Sequence, residues 1–406
     1  VIDIMPWIES AFFGLLAPSL LTMVLVVFVT TQLTLMCVTV YLHRHSAHRS
    51  LELHPTLKHM MRFWLWLTTG MNTKAWTAIH RKHHAFAETE EDPHSPIVHG
   101  IHKVLWQGAE IYRTSSTDDV LEKFGAGTPD DWLERRVYTP HSVVGIVSLL
   151  VLEVLLFGIP GIAVWAVQMA WIPFFAAGII NGLGHWFGYR NFEVKDKSNN
   201  LVPLAVFVCG EELHNNHHTY PNSAKLSVKP WEFDLGWAWI RLFQVFGLAQ
   251  PLSTGPVVDR VPGKEGIDRD TVLAAMNDRF RVMADFGRRV MLPAVREESR
   301  KADRFTRKQL RRAYKLLTRV EPPGIADEKH AARKAQLLRN VPTLSKLSSY
   351  SDELRRLLAS GKGSLEDVRE RLIDWVKRAE SSGVETLQEF AKELRQLALP
   401  KTAPPI

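Results

Sequence analysis

The hydrophobic positions of this chain fall in blocks. No charged residue occurs between Ala11 and Leu42. As one helix those 32 residues would measure about 48 Å, against roughly 30 Å for the hydrocarbon core of a bilayer. The run predicts either one span with a protruding end, or a short segment broken near Pro18 and a full span from Ser19. Residues 143–183 form a second apolar stretch. Gly158-Ile159-Pro160-Gly161 divides it, a turn signal that predicts a helical hairpin. Glu153 alone interrupts it with charge and is expected to face protein. Phe63–Met71 is apolar but short, with Lys58, His59 and Arg62 just before it, which predicts an interfacial helix. Residues 201–209 are too short to cross. A secretory leader is not expected, because the first residues lack a basic region. After about residue 262 the pattern changes to apolar positions at i, i+3 and i+4 among charges, as in Leu365–Ala379 and Val384–Leu397, with Pro322-Pro323-Gly324 between helical parts.

These blocks predict an all-α, polytopic membrane protein. Three or four transmembrane helices are capped by a cytoplasmic histidine-rich helical domain, and a helical tail follows. The expected boundary separates a membrane-embedded part, residues 1–261, from a cytoplasmic basic tail, residues 262–406. Composition narrows the class. Of 406 residues 46% are hydrophobic and 23% charged, and Gly, Pro and Trp counts of 24, 22 and 13 exclude collagen-like and wholly disordered chains. Two cysteines exclude a disulfide scaffold and a cysteine-built zinc or iron–sulfur domain. A net charge of +7 suits an anionic membrane surface.

The histidines change the picture, because the 17 of them are clustered. Four groups sit at the edges of apolar segments: His43, His45 and His48; His80, His83 and His84; His185, preceded by Asn181; and His214, His217 and His218. The spacing H-x-x-H-H, at i, i+3 and i+4, is expected to aim three imidazoles at one spot on a helix, and Asn181 shares a face with His185. His43 and His48 would diverge by about 140° on a regular helix, so they require a frayed or bent segment. Single histidines beside spans, namely His45, His54, His59, His99, His102, His141 and His330, read as interfacial polar residues. Neutral imidazole suits Fe, Zn, Cu and Ni, and nine ligands exceed what one tetrahedral zinc takes. They fit two metals with four or five ligands each. Redox metals at a membrane surface suggest O₂ activation and oxidation of a lipidic molecule. All four groups must lie on one side of the bilayer. No span is expected between His48 and His80 or between His185 and His214, and two lie between His84 and His185. Arg44, Arg49, Arg81, Lys82 and Arg190 assign that side to the cytoplasm.

HRHSAHR, HRKHH, NGLGHWFGYR and GEELHNNHHTYP, in this order, resemble the motifs of the membrane fatty acyl desaturases, most nearly bacterial delta-9 desaturases related to stearoyl-CoA desaturase. The resemblance covers roughly residues 15–250. It implies a di-iron centre (two Fe ions) held by His43, His48, His80, His83, His84, His185, His214, His217 and His218, with Asn181 approaching iron through water. It also implies O₂-dependent insertion of a cis double bond into a saturated long-chain acyl group, at delta-9, in the bacterial inner membrane. One departure is that the Arg-Asp pair by which animal enzymes help bind CoA is Ala78-Ile79 here. Phospholipid-bound acyl chains are therefore slightly favoured over acyl-CoA. The related hydroxylases and alkane monooxygenases use similar motifs. A metal transporter or storage protein is disfavoured, since the ligands lie at segment ends and not at mid-bilayer.

The remaining expectations concern neighbours of the motifs. Trp76, one turn before His80, is placed as a wall of an acyl channel or as an interfacial anchor. In the acidic turn ETEEDPHSP, Asp92 and His94 are candidates to orient ligating imidazoles, as is Glu211; Glu212 has the same two readings, orienter or solvated acid. No heme, flavin or nucleotide-binding pattern occurs, so electrons are expected from a separate donor such as ferredoxin or a flavoprotein reductase. No nucleic-acid partner is expected.

Overall fold

The computed structural model describes residues 12–255, 258–301, 338–359 and 364–399, with the single positions 310, 317, 335 and 336. His330 and Pro322-Pro323-Gly324 lie outside the described residues. The chain divides into two compact units: residues 1–190 with 196–255, and residues 191–195 with 256–406.

In the first unit, helix α1 (Leu20–Cys37) starts at Ser19, whose Oγ accepts the Thr22 N–H at 3.1 Å. It continues, without a break, as a wider π-helical stretch over Val38–Ala47. α2 (Pro55–Thr69) begins with Pro55 after the His54 cap and ends at Gly70, whose φ of 61° is open to glycine. α3 (Thr73–Phe86) is capped by Asn72. Short helices α4 (Pro96–His99), α5 (Ile101–Ser115) and α6 (Asp118–Phe124) follow. α7 (Ser142–Phe157) turns at Gly158 into α8 (Pro160–Ile172), which runs on as a second π-helical stretch, Pro173–Leu183. The unit closes with α9 (His214–Thr219) and α10 (Leu235–Val245).

Two of these helices, Leu20–Ala47 and Pro160–Leu183, are long and apolar enough to cross a membrane; α7 is apolar but only 16 residues. Their surfaces invert the soluble pattern. Leu20, Leu21, Val24, Leu25, Phe28 and Val29 of α1, and Val143, Val147, Val151 and Leu155 of α7, are exposed, whereas Thr31, Thr34, Glu153 and Gln168 are buried. Inside, the Trp64 indole and the Gln168 amide donate to the hydroxyls of Thr34 and Thr30 at 3.0 and 2.8 Å.

The fold is mostly helical, not wholly so. In the first unit β1 (Leu51–Leu53) pairs antiparallel with β4 (Ala249–Pro251), and β2 (Leu204–Ala205) pairs parallel with β3 (Phe233–Asp234). Periodicity gave no warning of these two- and three-residue strands, which pair the backbone polar groups that helix ends leave over.

The second unit has its own core, with Phe286, Trp375 and Phe390 ring to ring at 5.1–6.5 Å. Its helices are α11 (Arg269–Asn277), α12 (Arg279–Phe286), α13 (Leu292–Lys301), α14 (Pro342–Ala359), α15 (Leu365–Glu380) and α16 (Glu385–Arg395). The last two occupy the segments that the apolar spacing marks out. β5 (Asp259–Arg260) pairs with β6 (Leu397–Ala398).

Within the first unit α2 and α7 approach closely because Gly145 has no side chain: a Cβ there would lie 2.3 Å from the Trp66 carbonyl oxygen. Gly145→Ile is therefore expected to lower the thermal midpoint in detergent, through an overpacking cost of about 1–3 kcal/mol. Val147→Ile, on the exposed face of the same helix, should leave it unchanged. Equal midpoints for the two variants would contradict the close packing.

Candidate metal centre

The nine motif histidines come together as two groups. Ring nitrogens of His43, His48, His80, His84 and His217 lie within 4.8 Å of one another, and so do those of His83, His185, His214 and His218. The H-x-x-H-H triplets do not aim at one spot, as the sequence reading expected. Residues i and i+4 of a helix sit about 40° apart and share a direction, while i+3 sits on the other side of i. Accordingly His80 and His84 face the first group and His83 the second; His214 and His218 face the second and His217 the first. α3 and α9 thus lie between the two groups and serve both.

The first motif is resolved by the π-helical stretch. Its wider turn places residue i+5 over residue i, and the His48 N–H donates to the His43 carbonyl at 3.1 Å. The two imidazoles, which a regular helix would splay, stand 4.9 Å apart between ring centroids. Two side chains one turn apart on α3 hold this end against the second motif. Thr77 Oγ1 meets Ser46 Oγ at 2.7 Å, and the Arg81 guanidinium donates to the carbonyls of Ser46, Ala47, Phe124 and Ala126. Arg44 is buried and forms a two-pronged ion pair with Asp234 at 2.9 and 3.1 Å, tying the first motif to the segment after the fourth.

Carboxylates fix the orientation of four rings. Nδ1 lies 2.8 Å from Glu211 in His43, 2.9 Å from Asp92 in His83, 2.9 Å from Glu88 in His185 and 3.2 Å from Asp196 in His218. A carboxylate accepts, so each Nδ1 carries the proton and each Nε2 presents a lone pair. The Nε2 atoms meet: His83 and His218 at 3.4 Å, His43 and His217 at 3.0 Å, His185 and His214 at 2.9 Å, His48 and His80 at 2.8 Å. In the His83–His218 pair both Nδ1 atoms are held by carboxylates, so two lone pairs face each other and repel unless a cation lies against both. Two nitrogens each about 2.1 Å from a metal, at right angles, are about 3.0 Å apart, the spacing seen here. The donor set therefore fits two metal ions, one with five imidazoles and one with four.

Burial, reinforced by neighbouring imidazoles, pushes His48, His80, His84, His214, His217 and His218 well below the ordinary imidazole pKa, so these rings are neutral, as ligation requires. His185 shifts the other way: burial opposes its charge, but the Glu88 carboxylate outweighs it. Despite burial, their imidazole partners hold Glu88, Asp92, Asp196 and Glu211 below the usual carboxylate range.

Of the flanking residues, Asp92 and Glu211 hold imidazoles, and Glu211 also accepts from Thr39. Glu212 instead accepts from the backbone of its own loop, at Val208 and Gly210. His94 does not hydrogen-bond a ligand: its ring packs on His83 at 4.2 Å and its N–H donates to Asp92. Burial drives its pKa down to about 3. Trp76 stacks on His80 at 4.9 Å and meets His43 edge-on. Asn181 is half-buried at the end of the π-helical stretch that leads to His185. Glu88 and Asp196 were missed by sequence reasoning. Their signals were faint: Glu88 opens the acidic turn with a positive φ of 66°, and Asp196 starts a polar stretch between the third and fourth motifs. His45 Nδ1 donates to the Leu51 carbonyl, His54 caps α2, and His99 Nε2 donates to the Asp92 carbonyl; none of these joins either group.

Residues 18–244 match the fatty acid desaturase family, more than half of the chain. The chain belongs to that family. Among relatives, the desaturase is 32% identical over 219 residues to the sn-1 stearoyl-lipid 9-desaturase of Anabaena variabilis, covering 52% of this chain and 76% of that one. It is 31% identical over 215 residues to Delta-9 acyl-lipid desaturase 2 of Arabidopsis thaliana, covering 52% and 68%. Against Delta-9 desaturase-like 5 protein of the same plant, identity is 29% over 228 residues, covering 55% and 74%. The desaturase is thus an enzyme of fatty acyl desaturation and a membrane protein, with histidine groups suited to metal.

The depressed imidazoles have a consequence for the metal-free desaturase. The unfolded chain takes up protons as pH falls through about 6.5, while the folded state keeps these rings neutral. Their stabilisation is present above that pH and lost below it. Chelator-treated protein should therefore show a falling thermal midpoint between pH 7.5 and 5.5; a flat profile would contradict the burial of neutral rings.

Proposed function

We propose that the desaturase inserts a cis double bond, at delta-9, into a saturated long-chain acyl group esterified in membrane lipid, consuming O₂ at a di-iron centre. The observation that carries this reading is the pairing of five converged imidazoles with four. Iron bound there would supply the O₂ activation that an unactivated methylene requires, since such a carbon offers no acidic proton to a side chain. His43, His48, His80, His84 and His217 would hold one ion; His83, His185, His214 and His218 the other, with Asn181 reaching it through water. Glu211, Asp92, Glu88 and Asp196 keep the Nδ1 protons in place, and so keep the ligating lone pairs aimed inward. Trp76, flat against His80, forms a wall that keeps water from the rings and can guide an acyl chain.

Two observations favour lipid-linked chains over acyl-CoA. Two of the three relatives above are named for acyl-lipid or stearoyl-lipid substrates. Ala78 and Ile79, which replace the CoA-binding pair, are fully buried against Val120 of α6, so these two positions offer a nucleotide carrier no charge. In this reading residues 1–261 form the catalytic part, with three or four spans in a bacterial inner membrane and the histidines on the cytoplasmic side. Electrons come from a separate ferredoxin or flavoprotein reductase, and residues 262–406 form a cytoplasmic tail.

Protein purified in detergent is expected to carry about two irons per chain. His84→Ala and His217→Ala should lower iron content and abolish turnover, and Glu88→Gln should weaken iron retention against a chelator by roughly 10–100-fold. Zinc in place of iron, with no O₂ uptake, would point to storage or transport. For substrate, proteoliposomes of saturated phosphatidyl lipid and micelles of stearoyl-CoA are each supplied with a working electron-transfer system. Desaturation of the lipid is expected. Fast conversion of the CoA ester alone would overturn the lipid assignment, and a hydroxylated product would place the enzyme with the hydroxylases.

A further inference from the structure

The β2–β3 ribbon, whose strands lie on either side of the fourth motif, reverses the burial rule of a water-facing strand pair. Leu204 pairs with Phe233 and Ala205 with Asp234, and alternate residues point to opposite faces. On the outer face Leu204 is 59% exposed, Phe233 43% and Trp231 65%, and beyond the strand Phe207 is 67% exposed. On the inner face Ala205, Glu232 and Asp234 are buried. Apolar groups are outside and acids inside, as on the lipid-facing surfaces of α1 and α7. A contiguous exposed set of large apolar and aromatic side chains marks an interaction surface.

Its place beside α1 says what covers it. The Gln32 side-chain amide donates to the Phe207 carbonyl at 3.2 Å. Gln32 lies twelve residues past Leu20, about 18 Å along the helix and so near the middle of a 30 Å hydrocarbon core. From there the chain climbs back along α1, reaching Thr39 and His43 through Glu211. Non-helical backbone can sit at such depth only when its polar groups are paired. Here Phe233 N–H donates to the Pro203 carbonyl at 2.9 Å, Val206 N–H to the Leu204 carbonyl at 3.1 Å, and Val208 N–H to Glu212 at 2.8 Å.

We propose that the outer face of the β2–β3 ribbon, with Phe207 and Trp231, is embedded in the bilayer on the histidine side, as a re-entrant element that crosses nothing. The partner is lipid, with Trp231 at the headgroup boundary. The inner face carries the purpose of this arrangement. Asp234 pairs with Arg44, next to His43; Glu232 accepts from Asn216, next to His217, and from the Tyr189 hydroxyl. The ribbon therefore ties the lipid surface to the two motifs whose His43 and His217 nitrogens meet at 3.0 Å.

The test uses the full chain in liposomes of phosphatidylcholine and phosphatidylglycerol. Leu204→Cys and Trp231→Cys carry a nitroxide label in turn; the native Cys37 and Cys209 are both buried. Collision with O₂ is compared with collision with a water-soluble nickel chelate, using Val147→Cys as the lipid reference and Glu91→Cys as the water reference. The expected result is O₂ collision at Leu204 at least several-fold above the chelate, close to Val147, and at Trp231 an O₂-to-chelate ratio between those of Val147 and Glu91. Chelate access equal to Glu91 would overturn the proposal. So would an immobilised label with spin–spin broadening that grows with protein density, which would assign the face to a second copy. Should a labelled variant fail to fold, quenching by lipids brominated on the acyl chain decides: wild type should lose more fluorescence than Trp231→Phe, and equal loss overturns it. Neither readout involves turnover, so the outcome is independent of which substrate the desaturase takes.

Discussion

Six of the nine motif imidazoles are held neutral by burial, and rings packed this tightly must agree on which nitrogen carries a proton. The carboxylates settle that matter. Wherever Glu88, Asp92, Asp196 or Glu211 accepts from Nδ1, the ring can present only a lone pair to its neighbours. The structure around the groups can be read as the means of keeping this arrangement dry and in register. Arg44 and Asp234 neutralise each other without water, Thr77 and Arg81 hold the first motif against the second, and Trp76 covers His80. Breaking a buried pair such as Arg44–Asp234 from one side leaves an uncompensated charge, a cost of about 3–5 kcal/mol.

The surrounding medium is equally part of the design. Exposed valines and leucines on α1 and α7 would be a liability in water, and the buried threonines, Gln168 and Glu153 would be hard to explain there. In hydrocarbon both make sense. The same logic, applied to strands in place of helices, is what singles out the ribbon beside α1.

Much of this was legible from sequence because it rests on local spacing. Blocks without charge mark the long helices, Gly158 and Pro160 mark the hairpin turn, and the clustered histidines mark the donor set. Four features were not. The π-helical winding that unites His43 with His48 replaces one regular ladder with another and leaves no periodic trace. The division of each triplet between two groups depends on what stands on either side of the helix, which spacing alone does not state. Glu88 and Asp196 act on His185 and His218, 97 and 22 residues away, so only the folded chain pairs them. The short strands are set by tertiary contact in the same way.

Because α3 and α9 each lend side chains to both groups, the two groups are mechanically linked. An ion seated in one would fix the rotation of both helices, and with it the aim of His83, His214 and His218 or of His80, His84 and His217. The conformational entropy of ordering these helices would then be lost once, on the first ion, and the second would find its ligands already in place. Under the proposed two-ion reading, loading of such a centre would be cooperative to the extent that this shared ordering outweighs the repulsion between the two cations.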